Sequence, residues 1–301
     1  MATRTDVEFE ADGGVRLRAW LFQPDCGQGT RGRQPAITMA HGYAGVKEHG
    51  IEAFATVFAE AGFVVLLHDH RGFGASEGQP RQDVDPWRQI ADWRRAISYL
   101  ESLDVVDPER LGLWGTSYAG GHAIVLGATD RRLRAVVAQV PTISGYEQGL
   151  RRVTPENVAS LERSFIDDER AQFRGEPLRR QAIVSADPAE PAAYRTRESV
   201  EFYLQPVPEG AWANQITVRS TLAARMYEPG NWIARVSPTP LLMVVATHDT
   251  VTLTDLELAA YEKALEPKRL VTIEGGHFAP YLSEFNRSST AALDWFRQHL
   301  S

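Results

Sequence analysis

Residues 7–11 and 15–22 alternate apolar and polar side chains around Asp12-Gly13-Gly14. A period of two broken by a turn-forming run predicts an antiparallel hairpin. The stretch 25–34, with several Gly, Arg and Gln residues, reads as a loop. Beyond it come short, largely apolar runs at 36–40, 63–67, 111–114, 133–140, 241–246 and 269–273. Such runs predict strands buried on both faces. Helical spacing separates them. Ile51, Phe54, Ala55 and Phe58 mark a helix over 51–61 that stops at Gly62. Trp87, Ile90, Ala91, Ala96, Ile97 and Leu100 give 85–103 an amphipathic face, and 118–128 is small and apolar enough for a buried helix. Further helices are predicted over 255–265 and 288–300.

Strands alternating with helices predict an α/β fold with a mostly parallel, doubly wound sheet behind the N-terminal hairpin. The rhythm fails between residues 142 and 236, a stretch rich in Arg, Glu and Pro with aromatics at Phe165, Tyr194, Phe202, Tyr203, Trp212, Tyr227 and Trp232. It is expected to be a mainly helical cap inserted into a core made of 1–141 and 237–301. No internal repeat or low-complexity tract is visible.

Composition narrows the function. Of 301 residues 43% are apolar and 24% charged, the signature of an ordinary globular chain. The net charge is -7, a poor match to nucleic acid or an anionic membrane, both of which need a basic surface. A single cysteine, Cys26, leaves no internal disulfide and no thiolate metal cluster. The first eighteen residues lack an apolar run, so no signal peptide and a cytoplasmic location are expected. No apolar run is long enough to span a bilayer.

The chemistry concentrates in Leu111-Gly112-Leu113-Trp114-Gly115-Thr116-Ser117-Tyr118-Ala119-Gly120-Gly121. A strand enters Gly-x-Ser and a helix leaves it. A serine on so sharp a turn projects its hydroxyl above the sheet edge, and Gly115, Ala119 and Gly120 let the two backbones approach. The helix N-terminus offers free N–H groups to a developing oxyanion.

On these residues the chain resembles the α/β-hydrolase superfamily over nearly its whole length. His41-Gly42-Tyr43 matches the family's oxyanion loop, and Asp69-x-Arg71-Gly72-x-Gly74-x-Ser76-Glu77-Gly78 resembles its loop after the next strand. Tyr118 and Ser76-Glu77-Gly78 are similar to the X-prolyl dipeptidyl-peptidase and cocaine-esterase branch. Gly45-x-Lys47-Glu48 and the overall length look like dienelactone-hydrolase-type and polyketide-pathway hydrolases. The C-terminal β-sandwich of the X-prolyl branch has no counterpart in this sequence, which speaks against peptidase activity of that kind.

The resemblance implies a triad in the order serine, acid, histidine. Asp249 follows the strand at 241–246, and His277 follows the last strand in Gly275-Gly276-His277. His277 would take the Ser117 proton and Asp249 would hold the imidazole. Asp255, the other acid nearby, reads with Thr254 as a helix cap. The N–H of Tyr118 is one expected oxyanion donor and Tyr43 the other, by backbone N–H or by hydroxyl. Trp212, Tyr203 and Tyr227 are the candidate substrate contacts in the cap. Asp69 and Arg71 read as loop organisers and His122 as a core histidine. His68 and His70 lack further ligands at metal spacing, so no metal is expected. Gly72-x-Gly74 is too short for a dinucleotide fingerprint, and no cofactor is implied.

The expected function is hydrolysis of a carboxylic ester, thioester or lactone through an acyl-enzyme on Ser117, with a small acyl compound as the partner. Acyl transfer, C–C bond hydrolysis in a polyketide-like pathway, or non-catalytic ligand binding on the same fold are the alternatives. Some members of the family dimerise through such caps, which leaves a homodimer open.

Overall fold

The computed structural model describes residues 2–25, 32–187 and 189–301. Cys26 and most of the expected 25–34 loop lie outside them. The chain opens with β1 (Thr3–Ala11) and β2 (Val15–Gln23), paired antiparallel across Asp12-Gly13-Gly14. Then come β3 (Gln34–Ala40), α1 (Glu52–Glu60), β4 (Val64–His68), α2 (Pro86–Glu101), β5 (Val106–Thr116), α3 (Tyr118–Thr129) and β6 (Leu133–Gln139). The segment after β6 holds α4 (Gly145–Arg152), α5 (Pro155–Phe173), β7 (Arg180–Val184), β8 (Ala192–Tyr194), α6 (Arg197–Tyr203), β9 (Ile216–Thr217), α7 (Val218–Arg225) and a 3-10 helix, Pro229–Arg235. The chain closes with β10 (Leu241–Ala246), α8 (Thr254–Lys263), β11 (Lys268–Ile273), a 3-10 turn at Ala279–Tyr281 and α9 (Phe285–Leu300).

The main sheet has eight strands in the order β1-β2-β4-β3-β5-β6-β10-β11. β2 runs antiparallel to β4, and every pairing from β4 to β11 is parallel. β4 and β10 are buried at every position, as expected of strands covered on both faces. Trp93, Trp114, Phe54, Phe58 and Phe296 lie fully buried between helices and sheet. Trp93 donates its indole N–H to Thr38 Oγ1 at 2.8 Å, so even this deep ring keeps its polar edge satisfied.

Two features depart from the pattern reading. β5 begins at Val106, five residues before its apolar run, because Gln34 pairs with Val106 across a register shift. The 142–236 segment contains a small sheet, ordered β8-β7-β9, that hydropathy did not predict. Its strands are five, three and two residues long, too short for a period-two signal to emerge. Among the described residues no helix is long and apolar enough to cross a membrane.

Candidate active site

Parallel strands place their C-terminal ends on one edge, where side chains from distant segments converge. Ser117 stands between β5 and α3 with φ 56° and ψ -120°, a conformation that L-residues rarely adopt. The turn is held by Ser117 N–H donating to Gln139 O at 2.8 Å and by Thr142 N–H donating to Ser117 O at 2.9 Å. Its tightness depends on Gly115, where a Cβ would fall 2.2 Å from Ala119 O. A Cβ on Gly42 would meet the Ser117 side chain at 2.9 Å, so the 41–43 backbone lies directly beside the hydroxyl.

His277 and Asp249 come from the loops after β11 and β10. His277 Nε2 is 3.0 Å from Ser117 Oγ, and its Nδ1 is 2.7 Å from Asp249 Oδ2. With Nδ1–H donating to the carboxylate, Nε2 keeps a lone pair for the serine O–H. Asp249 Oδ1 accepts from Val251 N–H at 2.7 Å and Thr252 N–H at 2.8 Å. Thr252 Oγ1 donates to Oδ2 at 2.8 Å. Burial opposes ionisation of Asp249, but His277 and these donors together hold its carboxyl below the usual range.

Thr254 accepts from Asp249 N–H at 2.9 Å and donates to Ala246 O at 2.7 Å, tying the acid loop to β10. This corrects the capping expectation. The N-cap of α8 is Leu253, with no side-chain cap, and Asp255 points outward to Arg151 at 2.8 Å. Asp69 organises the loop before α2, as its position suggested. It accepts from Lys47 N–H (2.9 Å), Lys47 Nζ (2.5 Å) and Ala75 N–H (3.1 Å), and a Cβ on Gly74 would lie 2.2 Å from its carboxylate. Arg71 grips Asp92 through two hydrogen bonds of 2.5 Å. His122 is a core residue, between Tyr227 OH (2.9 Å) and Gln89 Oε1 (3.0 Å). Among the described residues no group of three or more His, Cys, Asp or Glu side chains is placed to hold a metal ion.

The expected cap contacts separate. Tyr203 lines the cavity over Ser117 and donates its hydroxyl to Tyr43 O at 2.5 Å. Trp212 donates its indole N–H to Ala44 O at 2.8 Å and clamps the 41–45 loop from outside the cavity lining. Tyr227 also lies outside that lining, its ring packed on Tyr118 and His122. The Tyr43 ring stands edge-on to Tyr118 and Tyr194, with its hydroxyl buried. The cavity is only about 20 Å³, closed by Ser199, Phe202 and Tyr203 of α6 against Phe278 and Tyr281.

Sequence reasoning missed Thr252, Glu257, His49 and Tyr281. Tyr281 bonds Thr116 beneath the serine, and His49 reaches Tyr203 O at 3.3 Å. Thr252, three residues after the acid, carried a local signal, since short-range side-chain bonds to an Asp loop are common.

Residues 12–279 match the family described as X-Pro dipeptidyl-peptidase (S15 family). Over 298 residues the chain is 33% identical to the quorum-quenching protein AidA of Acinetobacter baumannii, covering 97% of this chain and 94% of that one. It is 31% identical to the thiohydrolase aneE of Aspergillus aculeatus, covering 89% and 84%. The crystal structure of the α/β hydrolase GrgF from Penicillium sp. sh18 superposes with a TM-score of 0.84 at 28% identity, covering 99% of both chains. The chain therefore belongs to the X-Pro dipeptidyl-peptidase (S15) family and is an enzyme of the α/β-hydrolase class.

Proposed function

We propose that the enzyme cleaves a carboxylic ester or thioester through an acyl-enzyme on Ser117. The observation that carries this reading is the continuous chain Ser117 Oγ–His277 Nε2 (3.0 Å) and His277 Nδ1–Asp249 Oδ2 (2.7 Å), mounted on a turn that forces the serine outward. His277 takes the Ser117 proton as Oγ adds to the substrate carbonyl. It then returns that proton to the departing alkoxide or thiolate. Water, deprotonated by His277, adds to the acyl group, and His277 returns that proton to Ser117 Oγ as the acid leaves.

The oxyanion falls to two backbone donors. One is Tyr118 N–H at the start of α3, where the helix dipole adds to the hydrogen bond. For the other, the N–H of Tyr43 is favoured over its hydroxyl. Gly42 packs on Ser117, so the next peptide lies beside the reacting atoms, whereas the Tyr43 ring is packed against Tyr118 and Tyr194, outside the cavity lining. The 142–236 segment acts as the cap. A cavity of about 20 Å³ holds roughly one water, so α6 must move to admit an acyl group.

The similarity to a thiohydrolase supports the thioester form of this reading. Acyl transfer to an alcohol or amine is the second reading, favoured because α6, packed over Ser117, would shield the acyl-enzyme from bulk water once it closes again. Products formed with competing nucleophiles separate the two. The triad itself is tested by intact-mass spectrometry after a fluorophosphonate, wild type beside Ser117→Ala. A single adduct on wild type alone is expected. No adduct on wild type, or one on both, overturns the assignment.

A further inference from the structure

Behind the Asp249 carboxylate lies a second acid that the reaction does not use. Glu257, in the first turn of α8, is fully buried. Its Oε1 is 3.0 Å from Thr252 Oγ1, and Oε2 is buried with no hydrogen-bond partner among the described residues. The same Thr252 oxygen is 2.8 Å from Asp249 Oδ2 and 3.2 Å from His277 Nδ1.

The protons in this cluster can be counted. A threonine hydroxyl has one hydrogen. If Thr252 spends it on Asp249, the contact with Glu257 contains a hydrogen only when Glu257 brings its own. If Thr252 instead turns to an ionised Glu257, Asp249 loses a donor and two buried carboxylates share one hydroxyl. Burial, reinforced by the charge of Asp249, holds the Glu257 carboxyl well above the usual range. The α8 N-terminus favours the anion, but the dipole effect at a helix end is small beside the desolvation of a buried carboxylate.

We propose that Glu257 is kept as a carboxylic acid and donates to Thr252 Oγ1, so that Thr252 in turn donates to Asp249. The inference rests on the reading of Asp249 as the partner of His277. Glu257 is then a positioning residue. It fixes the direction of the Thr252 hydroxyl, and that hydroxyl fixes the Asp249 oxygen that receives His277 Nδ1–H. Each hydrogen bond in such a chain polarises the next.

The experiment compares wild type, Glu257→Gln and Glu257→Met by steady-state kinetics on an ester and by infrared difference spectroscopy at neutral pH. The amide of Gln supplies an N–H to Thr252, whereas Met fills the space and supplies none. Wild type is expected to show the carbonyl band of a protonated carboxylic acid that Glu257→Gln lacks. Glu257→Met is expected to lose about tenfold in kcat with little change in KM, the size of one good hydrogen bond. Glu257→Gln is expected to recover to within about threefold of wild type. Absence of the band difference, wild-type kcat in Glu257→Met, or equal losses in both variants would overturn the proposal. Should Glu257→Met fail to fold, the band and the Gln variant still decide. Fluorophosphonate labelling of Ser117 is scored separately. Failure there removes the acyl-enzyme reading, whereas the infrared band reports Glu257 whatever Ser117 does.

Discussion

Asp249 and Asp255 are six residues apart in sequence and far apart in chemistry. Asp249 is buried and meets three donors from its own loop besides the His277 ring. Asp255 has a side chain 63% exposed and pairs with Arg151 on the surface, where ion pairs contribute little. Asp249→Asn should therefore lower kcat by about 10⁴-fold, because the amide presents the wrong partner to Nδ1. Asp255→Asn should stay within about twofold of wild type. Parallel kinetics check the ranking, and the reverse order would move the acid to 255. Ser117, Asp249 and His277, which the structure brings into hydrogen-bond contact, were legible as candidates because each follows a strand in a recognisable string. Thr252 and Glu257 were not legible as a pair. A glutamate in a first helical turn reads as a solvated helix acid, and nothing local says that this face of α8 is buried.

At the scale of elements, the β5–α3 turn shows how little space the nucleophile position leaves. A Cβ on Gly115 would overlap Ala119 O at 2.2 Å and approach the Ala123 Cβ at 2.9 Å, both on the helix that must start there. Gly115→Ala is expected to destabilise by about 1–3 kcal/mol through overpacking. In calorimetry that is a Tm loss of several degrees, at roughly 2–4 °C per kcal/mol for a chain of this size. Gly45→Ala is the comparison, since its Cβ would lie an ordinary 3.7 Å from His41. It should shift Tm far less, and equal shifts would mean that the close approach at 115 is not what sets stability. The main strands and helices were readable because their periods run over enough residues to be seen. The β8-β7-β9 sheet was not, because its pairing joins short segments whose partners are set by the chain path rather than by their own composition.

Across the whole molecule, His41, His49, His68, His70 and His122 lie buried in the interior besides His277. Burial lowers His41 and His49 to about 4 and His68 and His122 to about 3, and His70 well below its usual value. Their rings pack edge to face, His70 against His41, His68 and His122. In the unfolded chain each titrates near 6.5. Below that pH the unfolded state binds protons that the folded state refuses, so stability falls as pH falls. The loss continues for each ring until its folded value is reached. The slope approaches about 1.4 kcal/mol per pH unit per ring. Urea midpoints should therefore drop steeply between about pH 6.5 and 4.5, and a flat profile over that window would show that these rings are not held neutral.

The amino-acid order by itself determined the alternation of strands and helices, the doubly wound sheet and the candidate residues Ser117, Asp249 and His277. Those follow from local periodicity and from strings whose geometry is built into a few neighbouring bonds. Only the tertiary structure decided which aromatics of the 142–236 segment line the cavity over Ser117. Tyr203 reaches the cavity, while Trp212 bonds the 41–45 loop and Tyr227 turns to His122. Only the tertiary structure brought Glu257 behind Asp249 and closed the cavity to about 20 Å³. These depend on contacts between segments distant in sequence, and one aromatic or one glutamate looks the same in sequence whether it faces water, a neighbouring ring or a buried carboxylate.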